Sequence, residues 1–163
     1  MTSPHRSAPS LARARTAFAA HGETVQRAMI VELGASTAGA DVIRQLWREE
    51  RMPSIRRWVV AAAGAASGRW VRPLLRAALA DPAMTVRLHA ICAIHQRGDR
   101  ALAGAALALA ADASGGIRTN CLALVAELKP PGWRAAIVRG IDDPKDYVRK
   151  QCRRILAAAP EGR

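Results

Sequence analysis

The sequence predicts an all-α chain built as an α–α superhelix of about five antiparallel helix pairs. Three observations carry the prediction. Alanine supplies 36 of the 163 residues while aromatics make up only 4%, and alanine is the best helix former but too small to fill the space between sheets. The pairs Ile55-Arg56, Val86-Arg87, Ile117-Arg118 and Val148-Arg149 recur at steps of 31 residues, and Asp81, Asp112 and Asp143 keep the same step with Glu50 in the fourth place. Between these marks the apolar residues return with helical period. Half the chain is hydrophobic, which excludes a disordered tail and gives enough apolar material for a core. No apolar run approaches the ~20 residues that cross a bilayer, and no apolar signal core follows Met1 to Arg6. A cytoplasmic protein without membrane insertion is expected.

Taken in order, residues 1–10 read as a flexible tail and 11–163 as one domain. A degenerate capping unit occupies 11–34: a first helix over 11–21, then a second over 25–34 that aligns with 55–64 at a step of 30 but carries Gln26 where arginine recurs. Four 31-residue repeats fill 39–159, each a helix, a short turn and a second helix. Counted from its β-branched start, the second helix is apolar at offsets 0, 4, 7, 8 and 11. These are Ile55, Val59, Ala62, Ala63 and Ala66, then Val86, Ala90, Ala93 and Ile94 with Arg97 as the one break. Ile117, Cys121, Leu124, Val125 and Leu128 follow, and last Val148, Cys152, Ile155, Leu156 and Ala159. First helices are expected over 71–79, 101–111 and 133–141. Pro53 and Pro73 fall in first turns, where a missing N–H costs little. Gly34, Gly68, Gly98 and Pro130-Pro131-Gly132 close units, and the aspartates of Asp81-Pro82 and Asp143-Pro144 should cap the helices that follow. At offset 5, Val60, Ile91 and Leu122 give way to Arg153, with Lys150 and Arg154 nearby. An apolar flank that turns basic is what a terminal helix requires.

This pattern over 39–159 resembles HEAT repeats: about thirty residues, Asp-Pro in the internal turn, Val-Arg opening the second helix. It is most similar to the compact form of the phycobilisome-lyase-type HEAT family. The resemblance implies a right-handed HEAT-like solenoid in which turn aspartates and second-helix arginines form a hydrogen-bonded ladder. Asp81, Asp112, Asp143, Arg56, Arg87, Arg118 and Arg149 match those positions. Glu50-Arg51 in place of Asp-Pro, and Asp112-Ala113 without proline, depart from the pattern. The resemblance also implies that offset 3 of the second helices lines a concave side. Such a fold does not name a function.

Function is read from charge and from exposed positions. Lys and Arg total 25 against 13 acids, a net charge of +12, which favours acidic partners. The expected binding row takes offsets 2, 3 and 6: Arg57, Trp58, Leu88, His89, Thr119, Asn120, Lys150, Gln151 and Arg154. Trp58 beside Arg57 has the make-up of a binding anchor, against which stands burial on the neighbouring unit, whereas Trp47, Trp70 and Trp133 should fill gaps between alanine-rich faces. Arg44, Arg48 and Arg51 share a helical face that solvent would cover.

Catalytic patterns find no match. Cys92, Cys121 and Cys152 form no CxxC or CxxH unit and read as small apolar fillers. His89 and His95 are six apart rather than four, which is not a metal-pair geometry, and Ser114-Gly115-Gly116 lacks the strand of a phosphate-cradling loop. No catalytic residue, metal ligand or cofactor is assigned. The expectation is a non-catalytic interaction or scaffold module that holds an acidic protein or peptide. The alternative is a basic nucleic-acid binder, since alkylpurine DNA glycosylases are similar helical stacks, although their aromatic-plus-aspartate site has no counterpart here. A chromophore-lyase activity follows from the resemblance alone.

Overall fold

The computed structural model describes residues 10–20 and 22–159, so the predicted tail up to residue 9 and His21 lie outside the described residues. Among the described residues every regular element is helical. The order is α1 (Leu11–Ala19), α2 (Glu23–Gly34), α3 (Thr37–Glu49), α4 (Pro53–Ala65), α5 (Val71–Leu79), α6 (Met84–Arg97), α7 (Arg100–Ala106), α8 (Gly115–Leu128), α9 (Trp133–Arg139) and α10 (Asp146–Ala158). The predicted first helices 101–111 and 133–141 finish as tighter 3₁₀ turns, Leu107–Ala111 after α7 and Gly140–Asp142 after α9. Among the described residues no helix is long and apolar enough to cross a membrane.

Local chemistry starts and stops these helices. Ser10, Ser36, Asp99 and Ser114 accept a hydrogen bond from the N–H three residues on, at the starts of α1, α3, α7 and α8, which satisfies donors with no intrahelical partner. Pro53 opens α4, and Gly98 ends α6 at φ 60°, a conformation glycine adopts without strain. Lys129 takes the same role after α8 at φ 48°, where the sequence pointed instead to Gly132.

The core follows the apolar stripe. Ile55, Val86, Ile117 and Val148 are each the third residue of their helix and at most 3% exposed. Val59, Ala90, Cys121 and Cys152, one turn on, are fully buried. Each second helix packs on the helix before it and on the next second helix, so that α2 touches α4, α4 touches α6, α6 touches α8 and α8 touches α10. Gly64 of α4 faces α6 at short range: an added Cβ there would stand 2.6 Å from Ala93 Cβ.

Three expectations are corrected. Asp81 and Asp143 do not cap a helix; the caps are Ala83 and Lys145, and each carboxylate accepts from that residue's N–H, at 2.9 and 2.8 Å. The aspartate sits two residues before the cap and braces the turn instead. Arg51 lies past the end of α3, so it cannot share a helical face with Arg44 and Arg48. Cys92 is exposed, unlike Cys121 and Cys152, because offset 6 lies off the stripe.

Candidate functional site

The recurring arginines and aspartates form rungs between residues 25 apart. Arg56 donates through Nε and Nη2 to Asp81 at 3.0 and 2.5 Å. Arg87 reaches Asp112 at 2.8 and 3.0 Å, and Arg118 reaches Asp143 at 2.6 and 2.7 Å. The remaining nitrogen, Nη1, donates to the carbonyl six residues earlier: Glu50, Asp81, Asp112 and, for Arg149, Asp143, at 2.7 to 3.0 Å. None of the six paired side chains is more than 15% exposed. Among the described residues Arg149 donates instead to Asp146, at 3.2 Å.

At the other end Gln26 keeps the same carbonyl bond, donating to Ala20 six residues back. Its amide is too short to reach a carboxylate as well. Arg15 of α1 serves instead, donating to Glu50 at 3.2 Å. The Arg118 guanidinium holds the Asp143 carboxyl below the usual range against the upward push of burial, and Asp143 in turn raises Arg118. Burial pushes Glu50 up, but N–H donors of Met52 and Arg51 together with Arg15 leave it lowered.

The predicted binding row separates into two clusters. On α4 and α6, Trp58 meets His89 edge to face at 5.4 Å and 79°, and the Arg57 guanidinium lies 4.9 Å from the Trp58 ring. His89 Nδ1 is 2.9 Å from the Thr85 carbonyl. Burial, together with the Arg57 charge, pushes His89 below its ordinary value despite that carbonyl. Arg57 Nε and Trp58 Nε1 are buried without a hydrogen-bond partner, a costly state for a donor. This cluster borders a groove of about 360 Å³ that Ile30, Cys92 and Gln96 also line. Leu88 is half-buried against the core.

The second cluster lies between α8 and α10. Thr119, Lys150, Gln151 and Arg154 line an open groove of about 750 Å³ floored by Ala123, Ala126 and Ile155. Gln151 donates to the Thr119 carbonyl at 3.1 Å and so ties the two helices. Asn120 is exposed and bonded to the Gly116 carbonyl at 2.8 Å. Lys150 stands 2.8 Å from Asp146, both well exposed, and Arg154 is exposed with no ion pair among the described residues.

Sequence reasoning missed Lys129 and Tyr147 in this groove; Tyr147 is 51% exposed. Neither repeats along the chain, so periodicity could not mark them. It also missed arginines that cap helix ends. Arg97, the break in the stripe, donates to the carbonyls of Gly64 and Ala66, both at 2.8 Å. Arg100 donates to Lys129 O at 2.6 Å, and Arg134 to Ala159 O at 2.8 Å.

Among the described residues every Asp and Glu except Asp142 lies within ion-pair distance of an arginine or histidine. The net charge of +12 is therefore carried by cations left over from these pairs. Among the described residues no three His, Cys, Asp or Glu side chains gather as metal ligands would. No protein-family model matches the chain, and no curated protein matches it in sequence.

Proposed function

We propose that the chain is a HEAT-like α-solenoid of five helix pairs and acts as a non-catalytic interaction module. It holds an acidic protein or peptide segment along its second helices. The recurring rungs and the neighbour-to-neighbour packing of α2, α4, α6, α8 and α10 support the architecture. The observation that carries the function is the α8–α10 groove, where Lys129, Lys150 and Arg154, with Glu127 as the one acid among the lining residues, rim an alanine and isoleucine floor. Apolar floor and cationic rim suit a segment with both acidic and aliphatic side chains.

Nucleic acid is the alternative occupant of this face, favoured by the net charge alone. Among the described residues Tyr147 is the one aromatic lining the α8–α10 groove, which gives little platform for base stacking.

Fluorescence anisotropy with a labelled Asp/Glu-rich peptide tests the reading. Parent protein should bind at low salt, and Lys150→Gln/Arg154→Gln should bind about fivefold to tenfold more weakly with the same melting temperature. Equal binding by the variant, or no binding by the parent, would defeat it. A nucleic-acid duplex that binds the parent and is lost on the same two substitutions would favour the alternative.

A further inference from the structure

The helix ends opposite the carboxylate rungs carry a different surface. An open cleft of about 790 Å³ lies at the turns that follow α4 and α6, lined by Arg69, Arg72, Arg97 and Arg100 with Asp99 as its carboxylate. Asp99 accepts from Arg72 Nε at 2.6 Å and from the Leu102 N–H at 3.2 Å, and is only 8% exposed. Its charge is thus turned inward, while the Arg72 side chain remains 65% exposed.

Helix capping accounts for part of this cluster. Arg97 and Arg100 each donate one nitrogen to carbonyls at the ends of α4 and α8. That anchorage fixes where the two guanidinium planes stand and leaves other N–H groups of each fork unbonded. Capping does not account for Arg69, which is exposed and makes no ion pair among the described residues, nor for Arg76, exposed one turn beyond Arg72 on α5. Arg72 and Arg76 lie one turn apart on α5 and Arg69 stands in the turn just before it, so the cationic surface continues past the cleft. Like charges held this close repel one another, and a bound polyanion relieves that repulsion.

The lining also says what kind of anion fits. Apart from charged side chains the cleft is walled by Gly68, Gly98 and Ala101. It offers neither an apolar anchor for a peptide nor an aromatic face on which unpaired bases could stack. Guanidinium forks match phosphate oxygens bidentately. We propose that this cleft is a second site, separate from the α8–α10 groove, that takes adjacent phosphates of a nucleic-acid duplex through its backbone and without base preference.

The test is an anisotropy titration of labelled DNA duplexes of two unrelated sequences across a salt series. Arg69→Gln/Arg76→Gln removes cations whose side chains make no bond among the described residues, and Arg48→Gln/Arg139→Gln removes the same charge elsewhere. Parent protein should bind both duplexes alike, with log K falling linearly in log salt. The Arg69/Arg76 variant should bind at least about tenfold more weakly at low salt, with a slope shallower by about 2, and melt as the parent does. The Arg48/Arg139 variant should stay within about twofold of the parent. The proposal is overturned if the parent binds no duplex at low salt, or if the two variants bind alike. It is equally overturned if single strands bind more tightly than duplexes, if Lys150→Gln/Arg154→Gln abolishes duplex binding, or if the Arg69/Arg76 pair proves needed for an acidic peptide instead.

Discussion

Arg118 is tied by all three of its guanidinium nitrogens, two to the Asp143 carboxylate and one to main-chain carbonyls, at 9% exposure. A charge so enclosed depends on its partner, because removing one member strands the other in a poorly solvated place. Asp143→Asn should cost about 3 kcal/mol at neutral pH by urea denaturation. The same substitution bears on acid stability. The folded Asp143 carboxyl titrates below its ordinary range, so its contribution is complete above that range and is lost as pH falls through the folded value. Glu50 and Asp99 act in the same direction. The parent should therefore lose stability steadily below about pH 4, and Asp143→Asn should lose it less steeply. An unchanged acid slope in the variant would remove Asp143 from this role.

At the scale of the element, α4 and α6 meet where Gly64 faces Ala93. Alanine is the better helix former by about 1 kcal/mol, yet a Cβ at Gly64 would force the two helices apart. Gly64→Ala should be destabilising by about 1–2 kcal/mol net in thermal or urea melts, since overpacking outweighs propensity. A gain in stability would show that the helices separate freely. Helices, their apolar stripes and their order were legible because burial at period 3.6 writes itself into the chain. The second-helix starts at Ile55, Val86, Ile117 and Val148 are the clearest case. What the pattern did not reveal was geometry without period. The left-handed Lys129 is of this kind; the brace from Asp81, Asp112 and Asp143 to the N–H two residues on does recur, but a period in the residue type does not say whether the carboxylate caps a helix or braces the turn before it.

Across the whole molecule the rung aspartates Asp81, Asp112 and Asp143 are buried in their pairs, while Lys129, Lys150, Arg154, Arg69 and Arg76 face outward beside exposed acids such as Glu127 and Asp146. Net charge in the sequence pointed to an acidic partner, but it could not show where the surplus cations gather, because that depends on which arginines the rungs and helix ends retain. Arg97 and Arg100 illustrate this: they are basic residues by composition and helix caps by geometry. Of the nine residues expected to line one row, Arg57, Trp58 and His89 gather on α4 and α6, and Thr119, Lys150, Gln151 and Arg154 between α8 and α10. Side-chain packing such as the Trp58–His89 contact, and not helical offset alone, decides which of them remain open.

The account rests on the rungs joining one 31-residue unit to the next, and a double-mutant cycle on Arg87 and Asp112 tests this most directly. Urea denaturation of the parent, Arg87→Ala, Asp112→Ala and the double variant should give a coupling energy of about 2 kcal/mol, with each single change strongly destabilising. A coupling within about 0.3 kcal/mol of zero would mean that the spacing of 31 residues does not encode a bond between units, and would contradict the account.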